Sequence, residues 1–473
     1  MNQTMIDLLV IGAGPAGLRA ATTAASLGVD TLLLDMYDSA GGQYFNRPAP
    51  GFSVSNVGPE LKVGTGLFEA ARRAGCRLEP ASEVWGIYGD RPFQVGVTGG
   101  SSECLVAKSI VIATGAYDRP IPFPGWTLPG VVTAGGAMSL LKNQRVLAGR
   151  RFLLSGSGPL QLAIGARLAS AGARIEAILE LRGRAALLGG LRRLGTILSH
   201  PSRLGEGRQY LEYLIGQGVP IRFGRGVTRV EGEDGVERAV ISRVDGDGCP
   251  VSGTESYVEV DTVCLGYGFV PAMELSRQAG CEHAFSDRSQ TLVPVCDSWL
   301  ETSVPGIFVA GDSGGVTGKD AALLEGHLAG LGVAKRLGRV TPEKALSEAV
   351  PLRKSLDREL RFSSMLDDLF GPLPGLWDLA DDDTIVCRCE EVRLREVKEA
   401  IACGADSFAA VKAQTRASMG RCQGRMCADT VARVIARELG IGLDEASRRS
   451  IRPPVLPVSL EDALKSGSET ESE

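Results

Sequence analysis

The chain has 473 residues, a formal net charge of −5 and no long basic run, so its composition argues against nucleic acid as a partner. No apolar stretch is long enough to cross a bilayer and no signal peptide is recognised, which predicts a cytoplasmic protein that meets a membrane only through a complex. The eleven cysteines should then be reduced, and any group of them suggests metal or redox chemistry.

The first pattern along the chain is an apolar strand, a glycine-rich turn, an alanine-rich helix and a second strand. The predicted nucleotide contacts here are Gly12, Gly14, Pro15, Ala16, Gly17 and Asp35. The three glycines have G-x-G-x-x-G spacing, which permits a tight turn, close approach to a pyrophosphate and close packing of helix on strand. The helix N-terminus offers N–H donors to phosphates, and the acidic residue can accept from ribose hydroxyls. Together these features predict a bound dinucleotide.

Two later stretches indicate which dinucleotide it is. The segments IVIATG (Ile110–Gly115) and GIFVAGD (Gly306–Asp312) resemble the paired motifs of the glutathione-reductase-like flavoproteins, which have two dinucleotide-binding domains. In that class the second motif's aspartate, here Asp312, holds the ribityl chain of FAD. The resemblance implies FAD contacts at Gly42, Gln43, Ala113, Thr114, Gly115, Gly311 and Asp312. Taken alone, Asp312 could equally cap a turn.

A second, imperfect copy of the first pattern runs from residue 151 to residue 180. Its candidate nucleotide contacts are Gly156, Gly158 and Glu180, followed by the basic residues Arg182 and Arg184. Gln161 stands where the third glycine is expected, and a bulky side chain there should push the helix from the strand or twist the loop. The site is therefore open between NAD(P), another adenine nucleotide and a purely structural role.

Near the carboxy terminus, four cysteines form two local pairs, Cys387-x-Cys389 and Cys422-x₄-Cys427. Four thiolates match a site for a soft metal, and neighbouring arginines would offset their negative charge. Zinc is the competing metal, although its knuckles favour C-x-x-C spacing. The module resembles the bacterioferritin-associated-ferredoxin-like domain, which implies a [2Fe–2S] cluster held by these four cysteines.

These motifs predict an α/β protein with a pair of glutathione-reductase-like Rossmann domains, the second inserted in the first, and a small helical [2Fe–2S] domain. The predicted divisions are an FAD domain at 1–120 and 262–340, a second nucleotide domain at 121–261, a helical linker at 341–383, a cluster domain at 384–440 and a proline-containing tail at 441–473 with a disordered end. We expect Pro351, Pro372 and Pro374 to interrupt the linker helix.

Over nearly its whole length the chain resembles the α (A) subunits of bacterial heteromeric amine dehydrogenases, the group of opine oxidases, D-hydroxyproline dehydrogenase and hydrogen cyanide synthase. The resemblance rests on the FAD motifs, the cysteine module and the segment Ala113–Val131 between them. It implies a β subunit of the amino-acid-oxidase type that oxidises the amine, an acceptor such as a quinone, and a small third subunit. The segment RPPVLP (Arg452–Pro457) would suit docking of such a partner.

Two other functions stay open from the sequence. The chain could act alone as an NAD(P)H-dependent oxidoreductase that uses its second Rossmann unit. It could also be an iron–sulfur carrier with a vestigial flavin fold. The catalytic residues are unknown, since the sequence offers no base to assign to substrate oxidation.

Overall fold

The computed structural model describes residues 5–45, 59–100, 104–189 and 193–467. The strands, β1 to β21 in chain order, are Ile6–Ile11, Thr31–Leu34, Arg77–Glu79, Ser82–Tyr88, Phe93–Gly99, Cys104–Ile112, Ala116–Asp118, Val131–Thr133, Arg151–Gly156, Arg174–Glu180, Ile221–Phe223, Arg225–Glu231, Arg238–Arg243, Ser256–Glu259, Thr262–Gly266, Phe269–Pro271, His283–Ser286, Thr291–Pro294, Ile307–Val309, Ile385–Cys387 and Val392–Arg393. The helices, α1 to α16, are Pro15–Ser26, Gly42–Phe45, Pro59–Arg73, Ala134–Gln144, Leu160–Ser170, Arg184–Leu188, Leu194–Leu198, Pro201–Gly216, Glu274–Gln278, Lys319–Arg336, Pro342–Phe370, Leu394–Ala402, Phe408–Thr415, Ala428–Leu439, Leu443–Ala446 and Leu460–Gly467.

The chain divides into two compact units by its contacts. Unit 1 contains the chain up to Ala116, then Val270–Leu360, and finally the chain from Ser450 onward. Unit 2 contains Tyr117–Phe269 and Arg361–Arg449. The predicted insertion of one Rossmann domain in another is confirmed, and residues 361–449, including the cysteine module, group with the inserted domain.

Unit 1 is built on a sheet of strand order β3-β2-β1-β6-β5-β4, with β19 also paired to β6. Strands β3, β2, β1, β6 and β19 run parallel, whereas β5 and β4 extend the sheet in antiparallel fashion. All six residues of β1 are buried, as expected for an apolar run in a parallel strand covered on both faces. Helices α1 and α10 pack on this sheet through a core rich in alanine and leucine.

Unit 2 contains a second parallel sheet of order β11-β10-β9-β15-β8. A three-stranded antiparallel sheet, β12-β13-β14, lies in the same unit. The cysteine module has its own core, formed by the short hairpin β20-β21 and helices α12 to α15. Helix α12 is strongly amphipathic and buries Leu394, Val397 and Ile401 in that core.

The linker helix differs from the prediction at its first proline. Helix α11 continues through Pro351 and ends at Phe370, just before Pro372. A proline inside a helix costs about 3 kcal/mol because one hydrogen bond is lost and the ring crowds the preceding turn. Here Ala345 and Ala349 on the same helix are fully buried against the unit 1 core. Their packing, which proline propensity ignores, keeps the helix continuous.

The segment RPPVLP is anchored on this chain by its valine, while its arginine and three prolines are exposed, so its docking to a partner stays a prediction. Val455 is only 1 % exposed and belongs to a hydrophobic core of unit 1. Its backbone N–H donates to the Trp85 carbonyl at 2.9 Å. The segment therefore binds this chain's own FAD domain. The predicted disordered end lies mostly outside the described residues.

Candidate functional site

The glycine turn after β1 is shaped by contacts that only glycine allows. Gly12 has a φ of +102°, and a Cβ built on it would lie 2.4 Å from the Ala113 carbonyl oxygen. A Cβ on Gly17 would lie 1.8 Å from the Gly12 carbonyl oxygen. Helix α1 can therefore approach the end of β1 only because both side chains are missing. Ala113 follows β6, so the turn and the IVIATG motif meet as predicted.

The second glycine of this turn has little around it among the described residues. Of their atoms, a Cβ on Gly14 would have only the Gly42 Cα within 4 Å, at 3.8 Å. Gly42 belongs to the GGQ stretch, and the preceding Gly41 N–H donates to the Ala13 carbonyl at 2.8 Å. Pro15 begins helix α1 directly behind this opening. The arrangement leaves a cradle at a helix N-terminus that a pyrophosphate can fill.

Asp35, at the end of β2, is tied to the same turn. Its Oδ2 accepts from the Ala13 N–H at 2.6 Å, and its Oδ1 accepts from the Tyr37 N–H at 2.8 Å. Burial raises the pKa of Asp35, while these two hydrogen bonds favour the ionised form. Each carboxylate oxygen has a second lone pair, so the residue can still accept from a ribose hydroxyl.

Asp312 lies beside this cradle, after β19. Its Oδ1 accepts from the N–H groups of Thr317 and Gly318, at 3.0 and 3.1 Å. Both of these bonds end on one oxygen, which leaves Oδ2 for a hydroxyl of the ribityl chain. The neighbouring Gly311 touches the first turn, because a Cβ on it would lie 2.8 Å from the Ala16 Cβ. Residues of all three FAD motifs thus converge within unit 1.

Glu325 joins this group and was missed by the sequence reasoning. Its Oε2 accepts from the Gly311 N–H at 2.7 Å. Burial, together with the negative charge of the nearby Asp312, raises the pKa of Glu325 to about 8, although the hydrogen bond from the Gly311 N–H acts in the opposite direction. The feature of the sequence that could have identified Glu325 is an acidic residue within the Ala-, Leu- and Gly-rich stretch of α10. Its contact fixes the backbone directly before Asp312, so Glu325 supports the residue predicted to hold the ribityl chain.

The second glycine turn, after β9, is twisted relative to the first. Its positive φ falls on the second glycine, Gly158 (+94°), and helix α5 begins two residues later, at Leu160. The Gln161 side chain is 2 % exposed, and its Nε2 donates to the Gly266 carbonyl at 3.3 Å. A Cβ on Gly156 would lie 2.0 Å from that Nε2. The glutamine side chain therefore lies across the ends of β9 and β15, beside the turn. Its amide is hydrogen-bonded to the end of β15.

The space above the second turn is filled by helix α11. A Cβ on Gly158 would lie 3.3 Å from Cβ and Cγ of Phe370, whereas a Cβ on Gly14 would meet no side chain of a described residue within 4 Å. Arg182 donates through Nη2 to the carbonyl of Gly371 at 3.1 Å. Glu180 accepts from the Gly158 N–H at 2.8 Å, and also from its neighbours in the turn. Glu180 keeps a lone pair, as Asp35 does, but Phe370 above Gly158 and the bond of Arg182 to Gly371 weigh against a nucleotide here.

The four cysteines come together in unit 2 as two pairs, each with one member from either motif. The Cys387 thiol interacts with the Cys427 thiol, and this contact lowers the pKa of Cys387 to about 6. The Cys389 thiol interacts with the Cys422 thiol, and burial together with this neighbour raises the pKa of Cys389. Cys427 is fully buried at the start of α14, and the Ser418 hydroxyl lies 3.1 Å from its sulfur. Sequence reasoning did not find Ser418.

The four thiols, taken two by two, match the ligand pattern of a [2Fe–2S] cluster. Within the part of the chain that the structure describes, no group of three or more His, Cys, Asp or Glu residues is placed to hold one metal ion. A zinc ion would need four sulfurs around a single centre, whereas each iron of a [2Fe–2S] cluster takes two thiolates. Gly420 permits the close approach, since a Cβ on it would lie 2.3 Å from the Cys389 Cβ. The donor set fits [2Fe–2S].

Two family models match the chain along these same regions. The pyridine nucleotide-disulphide oxidoreductase model matches residues 6–326. The chain belongs to this family. The model of the BFD-like [2Fe-2S] binding domain matches residues 385–437, which contain all four paired cysteines. This oxidoreductase therefore binds FAD and a [2Fe–2S] cluster, and it is an FAD-dependent enzyme.

The similar proteins include chains with the same combination of domains. The A subunit of opine oxidase from Rhizobium meliloti is 33% identical over 96% of this chain and 86% of its own length. The HcnB subunit of hydrogen cyanide synthase from Pseudomonas protegens is 30% identical over 89% of this chain and 90% of its own length. The oxidoreductase belongs with these subunit chains, as the sequence motifs predicted.

A solved structure agrees on the fold. L-proline dehydrogenase from P. horikoshii has a TM-score of 0.69 and 22% identity, and the match covers 97% of this chain and 79% of that chain. In the described ranges, no helix is both long and apolar enough to cross a membrane. The individual FAD and cluster contacts named above stay predictions.

Proposed function

We propose that this chain is the electron-transfer subunit of a heteromeric dehydrogenase or oxidase, and that a partner flavoprotein subunit oxidises a secondary amine or amino acid. The observation that carries the proposal is the combination, in one chain, of an FAD cradle with two converging cysteine pairs. Bound FAD can take up electrons in pairs and release them singly, whereas a [2Fe–2S] cluster holds one electron at a time. A chain with both groups is suited to converting a two-electron oxidation into single-electron steps.

The relatives support the choice of substrate class. They are named as subunits of an opine oxidase and a hydrogen cyanide synthase, so we propose an opine, D-hydroxyproline or a similar amino compound as the substrate. The proposal includes a β subunit of the amino-acid-oxidase type, a quinone-like acceptor, a small third subunit and a cytoplasmic location. On this chain, Asp35, Asp312 and the glycine turn would hold FAD.

The direct test compares the chain with and without its partner. The purified chain, mixed anaerobically with opines and D-hydroxyproline, should keep its flavin absorbance near 450 nm, the usual range for oxidised flavin. Co-purified with a partner chain of the amino-acid-oxidase type, the same FAD should bleach with one of these amines. Bleaching of the isolated chain by an amine would show that substrate oxidation takes place here and would contradict the proposal.

The alternative, an NAD(P)H-dependent oxidoreductase that acts alone, predicts a different result. Phe370 above Gly158 and Gln161 beside the second turn leave little room for a dinucleotide. We therefore expect neither NADH nor NADPH to bleach the FAD of the purified chain within the time of a stopped-flow experiment. Fast bleaching by either would favour the alternative. Dithionite serves as the positive control for reducible flavin.

A further inference from the structure

Each of the two sequence motifs, Cys387-x-Cys389 (here the first pair) and Cys422-x₄-Cys427 (the second pair), contains an arginine. Both arginines lie against one short segment of unit 2, Tyr117–Trp126. The guanidinium carbon of Arg388, within the first pair, lies 5.3 Å from the centre of the Trp126 ring. The guanidinium carbon of Arg425, within the second pair, lies 5.3 Å from the centre of the Tyr117 ring. A single segment, far from the cysteines in the sequence, thus contacts both cysteine motifs.

The second arginine is also fixed by hydrogen bonds. Arg425 donates through Nε to the Tyr117 hydroxyl at 2.8 Å and through Nη1 to the Cys422 carbonyl oxygen at 3.2 Å. Its guanidinium is thereby held between a phenol and the backbone of a proposed ligand. Both of these acceptors are uncharged, and together they fix the orientation of the guanidinium beside Cys422.

The first pair is anchored in a similar way. The Trp126 indole N–H donates to the Ile385 carbonyl at 2.6 Å, on the strand that ends at Cys387. Trp126 is only 3 % exposed and belongs to the hydrophobic core of the inserted domain. Arg388 itself is exposed, so its charge is screened by solvent more than that of the half-buried Arg425.

A fixed cation beside an iron–sulfur cluster acts on its reduction potential. Reduction adds one negative charge to the cluster, and a nearby positive charge stabilises the reduced form more than the oxidised form. Arginine keeps its proton at any pH at which proteins work, so this effect does not depend on titration. The effect does depend on where the guanidinium is held.

We infer that Tyr117 is a positioning residue that holds Arg425 beside the cluster and so raises the cluster's reduction potential. The inference rests on the proposed relay function and on the proposed ligand set. Without the phenol hydroxyl, the guanidinium gains freedom to turn toward water, and the reduced cluster loses part of its stabilisation. In the sequence, this segment comes shortly after the FAD motif IVIATG. The contacts by which it positions the arginine all lie within unit 2.

The test is the midpoint potential of the cluster, measured by an EPR-monitored redox titration of the purified, cofactor-loaded chain. Tyr117→Phe removes the hydroxyl and keeps the ring. We expect the equilibrium constant for cluster reduction to fall about three- to tenfold, which is ~30–60 mV at 59 mV per decade for one electron. Arg425→Gln should lower the potential at least as far, and Arg425→Lys, which keeps the charge, should restore part of it.

The matched control is Tyr257→Phe. Tyr257 lies under Arg238, with the guanidinium carbon 5.0 Å from the ring centre, but on strand β14 outside the cysteine module. Loss of the Tyr257 hydroxyl should leave the midpoint potential of the cluster unchanged. An unaltered potential in Tyr117→Phe, whatever the result for Arg425→Gln, or an equal shift in Tyr257→Phe, would overturn the inference alone. A wild-type chain without an EPR signal after reduction would overturn the proposed ligand set together with it.

Discussion

Replacing Cys389 with serine should abolish the iron–sulfur absorbance of the purified chain and leave FAD bound. Cys389 pairs with Cys422, so the substitution removes one of the two thiolates that would hold one iron. A serine oxygen is a harder and poorer ligand for iron in such clusters than a thiolate. The FAD cradle is built in unit 1 from other residues, so flavin binding should persist. Iron and flavin content per chain measure both parts.

The control for this substitution is Cys403→Ser. Cys403 is exposed and follows helix α12, away from the paired thiols. It should retain full iron and flavin content. Retention of iron in Cys389→Ser would show that the proposed ligand set is wrong, and iron loss in Cys403→Ser would point to a fifth cysteine in the site.

Replacing Gly17 with alanine should have the opposite effect, so that FAD is lost and the iron–sulfur cluster is kept. The added Cβ would lie 1.8 Å from the Gly12 carbonyl oxygen and 3.0 Å from its carbon. These are backbone atoms and cannot rotate away, so helix α1 must move from the end of β1. We expect a loss of about 1–3 kcal/mol in the free energy of unfolding of unit 1. The displaced helix should also lower FAD occupancy sharply.

Gly66→Ala is the matched control on the same unit. Gly66 lies inside helix α3, where an added Cβ would have no atom of a described residue within 4 Å, so alanine should stabilise the helix by about 0.5–1 kcal/mol. Thermal unfolding followed by flavin fluorescence compares the two variants. A Gly17→Ala chain with wild-type stability and full FAD would contradict the packing described for the first turn.

The two Rossmann turns and the cysteine pairs could be predicted from the sequence because each depends on neighbouring residues. Gly12 and Gly17 meet within one strand–turn–helix unit, and Cys387 and Cys389 are one residue apart. Local spacing carries the information for such features. The sequence also predicted correctly that the second Rossmann unit is inserted in the first.

Other contacts could not be predicted, because they join residues that are far apart in the sequence. Arg425 and Tyr117 are 308 positions apart, and Phe370 meets Gly158 only through the course of helix α11. Pro351 was expected to break that helix because proline propensity is local, whereas the burial of Ala349 is a tertiary effect. The burial of Val455 within the RPPVLP segment was missed for the same reason, since nothing in the sequence of the segment shows that this side chain packs on its own chain.

The most direct test of the relay function follows the cluster during substrate oxidation. The complex of this chain with its partner subunit is mixed with the amine, frozen within the first turnover and examined by EPR. We predict a reduced [2Fe–2S] signal in the wild-type complex. We also predict that a Cys389→Ser complex shows no such signal and passes electrons to the acceptor far more slowly. Transfer at the wild-type rate in the Cys389→Ser complex would contradict a relay through this chain's cluster.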